Sequence, residues 1–429
     1  MAEVRPFRGL RFNPGFTGDI GSIICPPYDV ISSEQQRILH ERSPYNIVRL
    51  ENGIIRDGDT AKNNRHIRSA SLLAEWIEKG AIQYDGVPAL YLHDHNFGTG
   101  RKIRRRGFIA CVRLEPPEKR TVLPHENTVP GIKSDRLALL KACRTNISPI
   151  FLLYQDPDGG IAELLEQSAR QKPVDDFVTP EEERHRVWKI EDPRVSMKIA
   201  QLLSGQTIYI ADGHHRYETC AAYQQEMVKQ RLVTTGKESF NYVMVTLVPF
   251  DDPGLVVYPI HRVVHGMTDR SMGVLKTQLE RFFELEYVPA TGACKSARLL
   301  KETGSQFIVL GLKEGKAAIC RVKAGSEDDK LMPKRSDAYR RLPVSLLHHL
   351  ALDPALDSTG SRGSITYTHD ESEAIDAMNN RVCNAAVLLP PTDPATIKDI
   401  ADAGDRMPGK STYFYPKLPT GIVLHSLED

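Results

Sequence analysis

Thr207-Ile208-Tyr209-Ile210-Ala211-Asp212-Gly213-His214-His215-Arg216-Tyr217-Glu218-Thr219 is the stretch on which the reading of this chain turns. The first five residues are β-branched, aromatic or small, the composition of a short buried strand. Gly213 then breaks the run, and the residues from about Arg216 to Arg231 read as a helix. A helix N-terminus carries unpaired backbone N–H groups and a partial positive charge, so a strand feeding a helix through a glycine is a ready anion site. Gly213 lets the backbone come close to a ligand. Arg216 can clamp two phosphate or carboxylate oxygens together. His214 and His215 can donate hydrogen bonds, shuttle protons or bind a metal. Asp212 can orient a histidine or hold magnesium. The plainer account is a polar turn with surface histidines and a capping Asp. Five such groups at one turn favour a site.

Outward from this stretch the chain alternates helices and strands. On the N-terminal side, Ile23–Val30 reads as a short strand ending in a rigid Pro26-Pro27 loop. Ser32 reads as the N-cap of a helix to Arg42, and a second helix is expected over Thr60–Lys79. Ala89–Phe97 and Ile103–Leu114 alternate like paired strands around Gly98. Helices are expected at Ser134–Arg144, Ile161–Gln171 and Val195–Leu203, with a strand at Pro149–Tyr154. On the C-terminal side, strands are expected at Asn241–Val248, Gly254–Ile260, Gln306–Leu310, Ala317–Val322, Ser364–Tyr367 and Ala385–Leu389. Helices are expected at Ser271–Phe283, Ser336–Leu352, Glu371–Met378 and Asp393–Asp402. This order predicts an α+β or mixed α/β fold rather than a clean doubly wound sheet. The division expected is 1–156, 157–290 and 291–429, the last an additional C-terminal α/β domain.

Composition bounds the class. Hydrophobic residues are 41% and charged residues 26% of 429, the balance of an ordinary globular protein with core enough to fold without staples. A formal net charge of +1 gives no basic footprint for nucleic acid. The one dense basic cluster, Arg101, Lys102, Arg104, Arg105 and Arg106, reads as a solvated strand edge or an anion-steering patch. Seven scattered cysteines without a CxxC pair speak against a disulfide framework and a zinc site. With no signal-like start and no spanning apolar run, a cytoplasmic location is expected, with no membrane or nucleic-acid partner.

Three further segments carry chemistry. Pro124-His125-Glu126-Asn127-Thr128 lies in a loop stiffened by Pro124 and Pro130, suited to hold a carboxylate base in place. His261-Arg262-Val263-Val264 sets a His-Arg pair at the end of an apolar strand. Gly404–Ser411 matches GxxxxGK[ST] literally, but an expected helix precedes it and an extended run follows, the wrong context for a P-loop. Lys410, Ser411 and Thr412 remain candidates to touch an anion. His93 and His95 share one strand face without a clear third ligand.

These motifs together resemble an uncharacterised family of bacterial and archaeal proteins whose genes often neighbour serine-biosynthesis genes. The resemblance runs nearly the full chain, from Arg5-Pro6-Phe7-Arg8-Gly9-Leu10 and Pro26-Pro27-Tyr28-Asp29-Val30 to Lys410-Ser411-Thr412-Tyr413-Phe414-Tyr415-Pro416-Lys417. The Asp-Gly-His-His-Arg turn is similar to the phosphate-binding turn of the ParB–sulfiredoxin superfamily. That superfamily includes the ADP-dependent free serine kinases, whose turn reads Asp-Gly-Thr-His-Arg. The resemblance implies a ParB–sulfiredoxin-like nucleotide- or phosphate-binding core. Asp212, Gly213, His215 and Arg216 would hold phosphate, and His214 stands where the kinases have Thr. It implies phosphoryl transfer on serine or phosphoserine, as a phosphatase or a kinase-like enzyme. Glu126, His214 and His215 are the expected catalytic groups, with His125, Thr128, His261, Arg262, Lys410, Ser411 and Thr412 holding the substrate anion. Magnesium and an adenine nucleotide are the expected cofactors, and no directly bound metal is assigned. The alternatives are a ParB-like nucleotide-binding regulator and a non-catalytic metabolite sensor.

Overall fold

The computed structural model describes residues 2–230, 235–290, 300, 306–323, 332, 334–357 and 363–428. Two compact units result. The first comprises Met1–Pro124, Thr128–Val256 and Pro416–Asp429; the second comprises His125–Asn127 and Val257–Tyr415.

The first unit is built on a nine-stranded mixed sheet. Its strands are β1 (Val4–Arg5), β2 (Leu90–Phe97), β3 (Ile103–Arg113), β4 (Val122–Leu123), β5 (Ile150–Tyr154), β6 (Asp175–Val178), β7 (Arg184–Ile190), β8 (Ile208–Asp212) and β9 (Tyr242–Pro249). They lie in the order β4-β8-β5-β9-β3-β2-β7-β6, and β1 pairs β3 where β2 has left it. Pairing is antiparallel except β4–β8 and β5–β9. Alternate side chains of β3 point to opposite faces. Ile109 and Cys111 enter one apolar core, while Phe108, Ala110 and Val112 enter the other. Burial on both faces explains the continuous apolar run.

Besides a single turn at Pro14–Thr17, the described α-helices of this unit are α1 (Ser33–Arg42), α2 (Val48–Glu51), α3 (Arg65–Glu78), α4 (Pro130–Cys143), α5 (Gly160–Ser168), α6 (Pro193–Leu203) and α7 (His214–Gln230). Ser32 and Gln35 form a reciprocal capping box on α1, as its sequence position predicts. The second expected helix begins at Arg65, because Asn64 accepts from two backbone amides there. Helix α4 begins at Pro130, four residues earlier than expected. Proline is suited to a first helical position, where its missing N–H has no intrahelical partner to lose.

Several expectations are corrected. Ile23–Val30 forms no strand but an isolated bridge at Cys25 and a 3-10 turn at Tyr28–Val30. Strands β6 and β7 were not anticipated, β7 because its Arg184, Arg186 and Lys189 hide the alternation. The basic cluster is not simply a solvated edge. Lys102 and Arg104 are exposed, but Arg105 and Arg106 are buried. The six described cysteines form no disulfide; Cys294 and the expected helix end at Arg231 lie outside the described residues.

The second unit has an antiparallel six-stranded sheet of β10 (His261–His265), β11 (Phe283–Pro289), β12 (Phe307–Lys313), β13 (Lys316–Val322), β14 (Ser364–Thr368) and β15 (Ala385–Leu388), in the order β11-β13-β12-β15-β10-β14. Helices α8 (Asp269–Phe282), α9 (Glu371–Asn379) and α10 (Pro394–Asp402) belong to it. Ile375 of α9 packs on Val263, Ile308 and Leu388. The helix expected over Ser336–Leu352 is broken at Leu342, which takes extended dihedrals before Pro343. His261 and Arg262 open β10 rather than ending the strand before it, of which only Val256–Tyr258 forms.

Candidate functional site

In the first unit, β8 delivers Asp212 and α7 begins two residues later at His214. The chain makes this turn through Gly213 at φ +92°, a conformation that L residues rarely adopt. The glycine has a second reason. A Cβ there would lie 3.0–3.1 Å from the Arg216 guanidinium, which packs beneath it.

Asp212 is the electrostatic centre of the turn. Its Oδ1 accepts from Lys417 Nζ at 2.6 Å and its Oδ2 from Arg216 Nη2 at 2.9 Å. Burial opposes the charge, but Lys417 and Arg216 outweigh it and hold the carboxyl well below the usual range. Arg216 also donates through Nη1 to the Pro149 carbonyl. Both ends of its fork are thus committed. The expected phosphate clamp is instead a brace that ties α7 to β8, kept charged against its own burial by Asp212, Asp29 and Glu51. A magnesium ion at Asp212 would first have to displace Lys417.

His215 Nε2 accepts from the Val129 N–H at 2.8 Å, which leaves the neutral ring its proton on Nδ1. Glu218, one turn on, accepts from Thr128 Oγ1 at 2.7 Å and Lys133 Nζ at 2.8 Å. Burial opposes the charge of Glu218, and these two donors win, lowering its pKa. Thr128 therefore spends its hydroxyl proton on Glu218 of α7. His214 is buried on the inner side of α7.

Beneath the turn lies a cavity of about 50 Å³ lined by Glu51, Arg136, Asn146, Ser148, Arg216 and Thr219. Arg136 stacks over Tyr28, 4.2 Å from the ring centroid, and burial pushes the Tyr28 phenol up to about 12. Lys417, Glu51, Arg136, Asn146 and Ser148 are absent from the sequence-based site. Glu51, Arg136 and Ser148 come from separate parts of the chain, and no spacing links them. Asp212 and Arg216 stand four apart, the one spacing that could have disclosed a pair.

In the second unit the remaining motifs converge. Glu126 Oε1 accepts from the Lys410 N–H at 2.9 Å, and the Met407 N–H donates to the His125 carbonyl. His125 Nε2 lies 3.2 Å from Thr412 Oγ1. Arg262, fully buried, donates to the Ile260 carbonyl and, at 3.4 Å, to that of Gly409. Its Nε lies 3.4 Å from His348, and its guanidinium stands 5.1 Å over the Tyr367 ring. None of these partners is an acid. Burial pulls its pKa down to about 10. His261 accepts from the Leu389 N–H through Nδ1, and burial, then Arg262, hold its pKa down to about 4. Arg262 and Ser411 line a pocket of about 530 Å³, within the range of small-molecule sites. The Gly404–Ser411 run follows α10 and leads to an extended segment, Tyr413–Tyr415, with Lys410 at φ +58°. It is not a P-loop.

One described group has metal-like spacing. The ligand atoms of His95, Glu183 and His185 lie within 4.8 Å of one another. The sequence offers only His93 and His95; His185 comes from the unforeseen β7, and Glu183 stands just before that strand. Arg105 Nη2 sits 3.3 Å from His95 Nδ1, and His95 Nε2 lies 2.7 Å from Glu183. Donation from Arg105 puts the neutral ring's proton on Nε2, towards Glu183. A divalent ion there would meet both that proton and a buried cation, which argues against a metal centre.

The chain belongs to the family described as protein of unknown function (DUF1015), whose model matches residues 4–345. No curated protein matches the sequence. Among solved structures, a mutant free serine kinase in complex with ADP is similar at 12% identity, covering 72% of this chain and 89% of that one, with a TM-score of 0.36. A conserved hypothetical protein from Pyrococcus furiosus gives 13%, 71% and 92%, at 0.34. SbnI with a C-terminal truncation, from Staphylococcus aureus, gives 9%, 74% and 87%, at 0.38. No helix among the described residues is long and apolar enough to cross a membrane.

Proposed function

We propose that the protein is a phosphoryl-transfer enzyme acting on serine or phosphoserine, as a phosphatase or as a kinase-like enzyme. The observation that carries this reading is the strand-to-helix turn at Gly213, with the Lys417 ammonium fixed beside it by Asp212. Phosphoryl transfer is mostly positioning and charge stabilisation. The first amides of a helix have no intrahelical partner and favour an anion. Lys417 adds a full cation. His214 and His215 are the proton carriers of this turn. The proton on His215 Nδ1, set by the Val129 bond, suits donation to a leaving oxygen.

The second unit supports an anionic substrate independently. A buried guanidinium that hydrogen-bonds no acid among the described residues, in a pocket of small-molecule size, is a favourable place for a phosphate or carboxylate. His125, His261, Lys410, Ser411 and Thr412 are the proposed neighbours of that anion, with Glu126 the proposed base. An adenine nucleotide and magnesium are the proposed co-reactants. The commitment of Arg216 to Asp212 and Pro149 favours one second reading, a non-catalytic sensor of the same ligand.

Phosphate release from L-phosphoserine by purified protein with magnesium, with and without ADP or AMP, tests the proposal. Release without nucleotide identifies a phosphatase, and transfer only to nucleotide a kinase-like enzyme. Phosphoserine binding without turnover supports the sensor. Neither binding nor turnover of serine, phosphoserine or nucleotide sinks both.

A further inference from the structure

The cavity beneath α7 has a chemistry of its own. On the scale where one water needs roughly 10–15 Å³, its 50 Å³ admits about three to five water-sized groups. That is too small for a nucleotide and fits one end of a small molecule. Two polar atoms in its wall take no hydrogen bond among the described residues, Thr219 Oγ1 and Glu51 Oε2. Thr219, 3% exposed, has no hydrogen bond at Oγ1. Glu51, also 3% exposed, accepts from Ser148 at Oε1, where Arg136 Nη1 stands 3.8 Å away. No hydrogen bond reaches its Oε2.

Arg136 does not close this gap. Its Nε and Nη2 donate to Asp135 and its Nη1 to the Glu51 carbonyl. Glu51 meets Arg136 and Ser148 through Oε1 only, so its Oε2 can take a donor from a ligand in the cavity, and a cation satisfies it best. A primary ammonium offers three donors and the opposite charge. Leu139, Leu140 and Val243 supply apolar wall for the carbon that bears it.

We propose that this cavity binds the primary ammonium of a small amino acid, with the Glu51 carboxylate as its counter-ion and the Thr219 hydroxyl as a second acceptor. The inference rests on the reading above for treating that amino acid as a substrate; the binding itself requires no turnover. Glu51 would make the free amine a condition of recognition, setting serine apart from hydroxy acids of the same size.

Calorimetric titration of the full chain with L-serine, N-acetyl-L-serine and L-lactate tests this. Serine is expected to bind, with the other two at least about tenfold weaker. Glu51→Gln should weaken serine by about tenfold or more, and Thr219→Val by a few-fold, the latter serving if Glu51→Gln does not fold. Equal binding of serine and N-acetyl-serine, or no binding of serine at millimolar concentration, overturns the proposal. So does unchanged affinity in a folded Glu51→Gln or Thr219→Val. Amine-dependent binding with neither phosphate release from phosphoserine nor transfer to nucleotide upholds the cavity assignment and refutes phosphoryl transfer. Release that ignores the amine does the reverse.

Discussion

Replacing Lys417 by Met tests the centre of the proposed turn. The side chain is 11% exposed and its partner Asp212 is 18% exposed, so the pair is largely shielded from water. A hydrogen bond to a charged group contributes about 1.5–3 kcal/mol. Stranding a buried charge costs about 3–5 kcal/mol, but Arg216 remains 2.9 Å from Asp212 and prevents that limit. The expected loss is therefore about 2 kcal/mol, or roughly 4–8 °C in melting temperature for a unit of this size. Thermal and urea melts at pH 7 measure it, alongside the affinity for inorganic phosphate, which should fall. The pH sign follows from the lowered pKa of Asp212. Its contribution is present above the usual carboxylate value near 3.9 and is lost as pH falls towards the folded value, so the gap between wild type and variant should narrow in acid. A double-mutant cycle with Asp212→Asn isolates the pair. A coupling below about 0.5 kcal/mol, with an unshifted melt, refutes the network.

Three other outcomes are expected. Gly213→Ala should cost about 1–3 kcal/mol from its positive φ alone, shift Arg216, and abolish phosphate binding; a melt and a phosphate titration check both. Arg262→Met should leave stability near that of wild type, because its hydrogen-bond partners are carbonyls and an imidazole and Glu126 acts on it only as a charge nearby, while phosphoserine affinity falls by about tenfold or more in a direct titration. Glu183→Gln should change the pH–stability curve. Burial raises the Glu183 carboxyl to about 7, so its contribution is full below the usual value near 4.3 and lost as pH rises through about 7. His93, His95 and His185 are held down by burial, His93 to about 4, so theirs is full above about 6.5 and lost as pH falls. Wild type should therefore peak between these limits. The variant should rise through pH 6.5 and stay flat, and melts from pH 5 to 8 would show an unchanged decline if the assignment is wrong.

What the sequence disclosed follows from where the forces are local. The period change at Asp212-Gly213, the N-cap at Ser32 and the Gly98 hairpin are set by neighbours within a few residues, and each was legible. Strands β7 and β11 were not, because Arg184, Arg186, Glu284 and Glu286 mask their alternation and only the partner strands reveal it. The converging motifs of the second unit were legible as motifs, but their contacts were not. The join of Glu126 to the Lys410 amide spans 284 positions. Glu51 and Arg136 carried no signal at all, since each alone is an ordinary charged residue.

The buried arginines show why residue type alone could not assign roles. Arg216 was expected to grip a ligand, yet it has an acid four residues away and holds the chain together. Arg136, equally buried, has Asp135 and Glu51. Arg262 differs from both, because carbonyls, an imidazole and an aromatic face surround it. Burying a guanidinium is costly, and an acid in contact offsets that cost within the fold. Where the offset is only partial, as at Arg262, an arriving anion supplies the rest, and binding gains what folding lacked. The same reasoning, with the sign reversed, applies to Glu51. A carboxylate whose second oxygen has no donor is the mirror of an arginine without an acid, and the ligand that completes each must carry the opposite charge.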